Sequence, residues 1–285
     1  MQCNLCGSGH VSVLYKKPDF NILKCGRCRF IFNDKWETFT DEIRFGSEKG
    51  LNVDKVKARF KEEKELYYER FRKELAGIRR FKNIGRLLDI GCGYGYFLEL
   101  AKKDGWKTYG IDCDRSAVEF CKESLSLDVS CGNLADKQFP EKHFDVVTLF
   151  HSLEHIPDFQ HTMAEIKKIL KPRGLIVIDV PNVNDLRRVV LRQDWAMFRN
   201  EHLWYFSFAT LRFLLEKHGF RIVGIRPHGG SEICFALDRI LKTDTSKAYA
   251  AWFRRLKPLK NIFTSVLNLM GFNEDILIYA EASDI

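Results

Sequence analysis

The chain has 285 residues, of which 45% are hydrophobic, and a formal net charge of +8. This length accommodates one full α/β domain and a small additional module. No run of about 18 apolar residues occurs, and the first residues lack the apolar stretch of a secretory signal, so we expect a cytoplasmic protein. The moderate positive charge would suit nucleic acid, anionic lipid or a phosphorylated substrate, and it selects none of them.

Two CxxC pairs lie in the first segment, where short strands and turns are expected. Cys3, Cys6, Cys25 and Cys28 have the spacing CxxC-x18-CxxC, which places four thiolates on two knuckles. Four sulfur ligands leave no open position for water or substrate, so the pattern predicts a structural zinc ribbon over 1–42. A redox dithiol is the less favoured interpretation. Metal binding rather than disulfides is typical of a reducing compartment.

A segment rich in lysine, glutamate and arginine follows over 52–83. Its apolar residues, among them Val56, Phe60, Phe71 and Leu75, recur at near-helical spacing. The pattern predicts an amphipathic helix that links the ribbon to the rest of the chain.

From residue 84 to the end, short apolar runs alternate with helical patterns. The runs RLLDI, TYGID, FDVVTLF and LIVIDV have the composition of strands buried on both faces. The alternation predicts an α/β domain over 84–285, with a parallel sheet covered by helices. Ser207 is a suitable N-cap for a helix that Gly219 ends, and FRIVGIR and ILIYAEA are expected to be the last strands.

A basic segment lies between those last two strands, over about 235–272. It is helical in pattern and mixes arginine and lysine with aromatic and aliphatic residues. The favoured interpretation is a helical insert packed on its own domain with its charges in water. Peripheral membrane contact is the alternative.

A glycine-rich loop follows the first strand of the predicted domain. In LLDIGCGYGYFLEL the loop contains Asp89, Gly91, Gly93 and Gly95. Glycine lets the backbone approach a ligand closely and adopt conformations closed to other residues. A dinucleotide-binding loop would need GxGxxG, but Tyr96 stands where its third glycine belongs. The spacing DxGxGxG, with Asp112 about twenty residues later, instead resembles the cofactor signature of class I methyltransferases, which use S-adenosylmethionine.

The resemblance implies a Rossmann-like fold with a seven-stranded, mostly parallel sheet flanked by helices. It also implies a role for each matched residue. Asp89 and the three glycines would line the methionine end of the cofactor, and Asp112 would accept hydrogen bonds from both ribose hydroxyls, since a carboxylate offers two acceptors to two donors. Asn133 and Leu134, in CGNLADKQFP, would flank the adenine.

Histidines occupy two segments that the resemblance places at the methyl-transfer cleft. In FHSLEHIP, His151 ends the fourth strand and faces the cleft, whereas His155 either takes part in catalysis or orders the loop. His202, in NEHLWYFS, lies over the mouth of the site, where substrate contact and structural packing are equally open. Methyl transfer needs a base only if the acceptor has a proton to lose, and histidine has a suitable pKa.

The resemblance extends to ubiquinone-type O-methyltransferases and to zinc-containing sugar C-methyltransferases. It implies S-adenosylmethionine-dependent methylation of oxygen or carbon on a small metabolite or glycan precursor, with zinc as a structural cofactor. RNA methylation is an alternative, because a zinc ribbon and a basic surface could hold phosphates. No Asn/Asp-Pro-Pro-aromatic motif for amino-group methylation follows the fourth strand, however. A non-catalytic zinc-ribbon interaction protein is a second alternative, which the intact glycine loop and Asp112 disfavour.

Overall fold

A computed structural model describes residues 1–38, 53–228 and 273–283 of the chain. The first range begins with three antiparallel strands, β1 (Val11–Lys16), β2 (Asn21–Cys25) and β3 (Ile31–Asn33). The long helix α1 follows at Val53–Arg79. The basic insert predicted over about 235–272 lies outside the described residues.

The remaining elements alternate between strands and helices, as the sequence pattern predicts. In chain order they are β4 (Arg86–Ile90), α2 (Tyr96–Lys103), β5 (Lys107–Asp112), α3 (Arg115–Leu125), β6 (Val129–Cys131), β7 (Phe144–Phe150), α4 (Phe159–Ile169), β8 (Leu170–Pro181), α5 (Leu186–Leu191), β9 (Trp204–Tyr205), α6 (Phe208–Lys217), β10 (Phe220–His228) and β11 (Asp275–Ala282). The predicted cap of α6 is confirmed, because the Ser207 hydroxyl accepts the N–H of Thr210.

Seven of these strands form one sheet in the order β10-β11-β8-β7-β4-β5-β6. The pairs that join β8, β7, β4, β5 and β6 are parallel, and β11 is antiparallel to both of its neighbours. The predicted seven-stranded, mostly parallel sheet is therefore confirmed. Because β4 has β5 on one side and β7 on the other, the strand order reverses at β4, and such sheets bind ligands at the carboxyl ends of the strands there.

Helices cover both faces of the sheet. On one face α1 packs against α2 and α3, and Phe60 and Tyr67 of α1 each stack on Tyr96 with ring centroids 4.4 Å apart. On the other face, Ile166 of α4 and Leu211 of α6 belong to the main hydrophobic core. This two-sided burial explains why the parallel strands are apolar throughout rather than alternating. No helix in the described ranges has the length and apolar character needed to cross a membrane.

The short strand β9 joins the ribbon sheet to the α/β domain. The two residues of β9 follow β8 by more than twenty positions, yet they pair with β3 and form the fourth strand of the ribbon sheet. Phe30, next to β3, stacks on Trp204 of β9 with centroids 6.0 Å apart and contacts Phe159 of α4 at the same distance. The ribbon therefore packs directly against the α/β domain.

Candidate active site

The glycine loop joins β4 to α2 and has left-handed backbone conformations. Gly91 has φ of 77°, and a Cβ built on it would lie 2.5 Å from the Cβ of Ser152. Gly93 has φ of 49°, but a Cβ built on it would meet no described heavy atom within 4 Å. Gly91 is thus required by close packing against the chain itself. Gly93 faces open space, where a bound molecule could approach the backbone.

Alanine substitutions at these two glycines should have different effects. Gly93→Ala should weaken binding of S-adenosylhomocysteine at least tenfold, while the left-handed conformation costs only about 1 kcal/mol of stability. Gly91→Ala should cost about 3 kcal/mol or more of stability, because strain and overlap with Ser152 add. Calorimetric binding and chemical unfolding of both variants would separate the two roles. Unchanged affinity in Gly93→Ala would contradict the assignment of Gly93 to ligand contact, and equal losses of stability in both variants would contradict the packing role of Gly91.

The Asp112 carboxylate lies at the end of β5, beside the glycine loop. Its Oδ2 accepts the N–H of Gly93 at 2.7 Å, and its Oδ1 accepts the N–H of Asp114 at 2.8 Å. These two bonds fix the plane of the carboxylate. Because each carboxylate oxygen has more than one lone pair, both can still accept hydroxyl donors from a ligand.

A cavity of about 430 Å³ opens next to Asp112. The structure brings to its wall five residues that the sequence singled out, although they come from four different loops: Gly91, Asp112, Asn133, Leu134 and His155. The wall includes the carboxylate of Asp112 and the amide of Asn133, and Ile111, Leu134 and Ile156 add apolar surface. Such a mixture suits a nucleoside, with a polar sugar and a flat apolar base.

Asp89 lies on the other side of the glycine loop, where it lines a second cavity of about 210 Å³ together with Gly91 and Gly93. Its side chain is only 3% exposed, and its Oδ1 accepts the Thr148 hydroxyl at 2.6 Å. Burial raises the pKa of Asp89 to about 7, against the opposing effect of the Thr148 hydrogen bond. Gly95 is the one predicted cofactor residue that lines neither described cavity.

His151 immediately follows β7 and stands among three carboxylates. Its φ of 49° is uncommon for a residue with a side chain. Its Nδ1 lies 3.6 Å from Oε1 of Glu154, and its Nε2 lies 3.7 Å from Oδ2 of Asp275 and 4.0 Å from Oδ2 of Asp179. Burial alone would lower the pKa of His151, but the carboxylates outweigh burial and raise it to about 9. The ring is therefore a cation at neutral pH.

His155 and His202 lie on the other side of Glu154. The Nδ1 of His155 donates to the carbonyl oxygen of Glu201 at 2.7 Å, and the His155 ring meets the His202 ring edge to face at 4.8 Å. Burial lowers the pKa of His202 to about 4, so this ring is neutral at neutral pH. Burial would raise the pKa of Glu154, but the neighbouring histidines, His151 foremost, lower it to about 2. The structure thus gathers all three predicted histidines around one buried carboxylate.

Three charged residues of this cluster were missed by the sequence analysis. Asp179, in β8, is fully buried, and its Oδ2 accepts a hydrogen bond from Arg70 of α1 at 2.7 Å. Asp275 begins β11 and is close to His151. An aspartate within the apolar run LIVIDV was a usable signal for Asp179. Arg70 is one of many charges on an amphipathic helix, and nothing in its spacing distinguishes it.

The four ribbon cysteines have the geometry of a metal site. The sulfur atoms of Cys3 and Cys28 are 3.6 Å apart, those of Cys6 and Cys25 are also 3.6 Å apart, and all four lie within 4.8 Å of one another. Four sulfurs around a tetrahedral zinc ion would be about 3.8 Å apart. The donors of Glu154, His155 and His202, and those of His151, Asp179 and Asp275, also lie within 4.8 Å of one another.

A family model and several known proteins match the part of the chain that forms this site. A family model described as a methyltransferase domain matches residues 60–225. C-methyltransferase NovU of Streptomyces niveus is 27% identical over 158 residues, which are 53% of this chain and 37% of NovU. The ubiquinone biosynthesis O-methyltransferase of Coxiella burnetii is 28% identical over 103 residues, 34% of this chain and 44% of that protein. The chain thus spans less than half the length of either relative.

A solved structure extends the likeness to nearly the whole fold. The S-adenosylmethionine-dependent methyltransferase of Archaeoglobus fulgidus superposes with a TM-score of 0.53 at 26% identity, covering 85% of this chain and 97% of that one. The fold and the site define a Rossmann-like, S-adenosylmethionine-dependent methyltransferase. The chain belongs to the family whose methyltransferase-domain model matches residues 60–225.

Proposed function

We propose that this methyltransferase acts on oxygen or carbon of a small metabolite or glycan precursor in the cytoplasm. The observation that carries the proposal is the cluster of three histidines around Glu154. One of these histidines, His155, lines the same cavity as Asp112, so the cluster lies next to the expected cofactor site. The cluster combines the cationic ring of His151 with His155, whose Nδ1–H is held by the carbonyl of Glu201 and whose Nε2 is then the acceptor nitrogen. We infer that this pair can remove a proton from an acceptor and stabilise the resulting charge. Relatives that methylate oxygen and carbon are both compatible with it.

The residues of the two cavities on either side of the glycine loop fit S-adenosylmethionine. Asp112 would accept the two ribose hydroxyls, Asn133 and Leu134 would flank the adenine, and Asp89 with the glycine loop would hold the methionine end. When bound, S-adenosylmethionine supplies a methyl group on a sulfonium, which is transferred by in-line displacement. Gly93 leaves the backbone open for close approach on the side where a Cβ would otherwise project.

We assign different tasks to the three histidines. The carbonyl of Glu201 holds the proton on Nδ1 of His155, so Nε2 carries the lone pair and can accept the acceptor's proton. His151 is cationic at neutral pH and would stabilise the oxyanion or enolate left behind. His202, buried against the ring of His155, would hold that ring in place.

We further propose zinc as the ion of the four-cysteine ribbon, with a structural role. The sulfur spacing supports it, and four thiolates leave no position for a substrate. No described observation favours RNA as the acceptor over a small molecule, and membrane contact would depend on the segment outside the described residues.

The proposal predicts transfer of labelled methyl groups to a small molecule. Purified protein would be incubated with methyl-tritiated S-adenosylmethionine and, separately, a catechol, a nucleotide-linked keto sugar and total RNA. We expect label in the catechol or the sugar. His155→Gln should lower kcat about 100-fold, because a positioned base contributes about that factor. Label in RNA alone would overturn the small-molecule assignment.

A further inference from the structure

The ribbon holds the segment 200–205, which carries His202. The N–H of Asn33 donates to the carbonyl of Leu203 at 2.8 Å, and the side-chain Nδ2 of Asn33 donates to the carbonyl of Asn200 at 3.2 Å. Asn33 is fully buried. Two residues of the segment then continue the ribbon sheet as β9. The conformation of this catalytic segment is therefore set by hydrogen bonds from the ribbon.

The same segment holds the turn that carries Glu154 and His155. The N–H of Leu203 donates to the carbonyl of Glu154 at 2.9 Å, and the indole N–H of Trp204 donates to the carbonyl of Ile156 at 2.7 Å. The carbonyl of Glu201 accepts Nδ1 of His155. These three bonds connect every residue from 154 to 156 to the segment 200–205, whose last two residues form the strand β9 of the ribbon sheet.

The first cysteine knuckle is attached to the other end of that turn. Gln160 lies in the first turn of α4, and its Nε2 donates to the carbonyl of Asn4, between Cys3 and Cys6, at 2.7 Å. Lys217 of α6 donates to the carbonyl of Leu5 at 3.4 Å. The ribbon thus contacts the chain both immediately after the turn and, through Asn33, alongside it.

We propose that the ribbon is a positioning element of the active site, in which Asn33 holds the segment 200–205 and thereby places His202, Glu154 and His155. This inference rests on the roles proposed for those histidines. The described hydrogen bonds of Asp112 go to Asp114, in its own loop, and to Gly93 in the glycine loop. The ribbon is therefore expected to govern methyl transfer more strongly than cofactor binding.

The test compares Asn33→Ala with Asn21→Ala. Asn21 is a matched control, because its Nδ2 bonds to Asp34 at 2.7 Å, so that its side chain acts within the ribbon. In Asn33→Ala we expect amide hydrogen exchange of Leu203 and Trp204 to become at least tenfold faster and kcat to fall about tenfold. The affinity for S-adenosylhomocysteine and the KM for S-adenosylmethionine should change less than kcat does, because the described bonds of Asp112 lie outside the ribbon. Asn21→Ala should leave all four quantities near those of the unmodified protein.

A second measurement covers the case in which Asn33→Ala does not fold. Metal would be removed stepwise from the unmodified protein with a chelator, in the presence of S-adenosylhomocysteine, while exchange at Leu203 and Trp204 is followed. Faster exchange at these amides while S-adenosylhomocysteine stays bound would support the proposal. Unchanged exchange and kcat in folded Asn33→Ala would overturn it. Failure of the unmodified protein to bind S-adenosylhomocysteine would instead contradict the proposed function, and the exchange data would still decide whether the ribbon holds the segment.

Discussion

Asp112→Asn is expected to weaken binding of S-adenosylhomocysteine about 100-fold. The carboxylate accepts the N–H of Gly93 and of Asp114, and it is proposed to accept two ribose hydroxyls as well. In the variant an amide NH₂ group replaces one carboxylate oxygen. This group is a donor, and it would face N–H and hydroxyl donors that need an acceptor. Hydrogen bonds to a charged group contribute about 1.5–3 kcal/mol each, so loss of two would cost about 3 kcal/mol or more. Each 1.4 kcal/mol corresponds to roughly a factor of ten in affinity.

Isothermal titration calorimetry would measure this effect directly. Asp128→Asn is the matched control, since Asp128 is an exposed carboxylate beside the start of β6 and the substitution is the same. Its affinity should equal that of the unmodified protein. Equal affinity in Asp112→Asn, in a variant whose circular dichroism is unchanged, would place the ribose elsewhere. The assignment of the 430 Å³ cavity to the nucleoside would then be wrong.

The parts of the fold that the sequence predicted are those fixed by local chemistry. The parallel strands are apolar because helices cover both faces, and α6 begins directly after Ser207 because a hydroxyl can cap the first turn. The spacing of the glycine loop and Asp112 was also informative, because strand, loop and helix must follow one another at a fixed distance to form one pocket. In the structure Asp112 does contact Gly93.

Contacts between distant parts of the chain could not be predicted in the same way. Arg70 and Asp179 are 109 positions apart, and only the packing of α1 on the sheet brings them together. Two residues make up β9, too few to show any periodicity, so its pairing with β3 gave no signal. The opposite pKa shifts of His151 and His202 could not be predicted either, because they also depend on contacts between distant parts of the chain. Three carboxylates from separate elements raise the pKa of one histidine, while burial lowers that of the other.

Cys28→Ser is expected to release the ribbon metal and to destabilise the whole protein. Binding of a structural zinc ion contributes about 10 kcal/mol or more to small domains that depend on it, and loss of one of four thiolates removes a large part of that free energy. The loss of stability should extend beyond the ribbon to the α/β domain. Cys3, Cys25 and Phe30 lie in the same hydrophobic core as Ile176 of β8 and Leu211 of α6.

The measurement combines metal analysis with calorimetric unfolding. The unmodified protein should hold one zinc ion per chain and unfold in a single transition, because one core joins the ribbon to the α/β domain. Cys28→Ser should hold little zinc and unfold at a clearly lower temperature. Cys131→Ser is the control, since Cys131 ends β6 and lies outside the four-cysteine cluster. The contrary outcome is a separate low-temperature transition in Cys28→Ser, with the main transition at its original temperature. That outcome would mean that the α/β domain is stable without its ribbon. It would contradict the expectation that the shared core transmits the loss of stability to the whole protein.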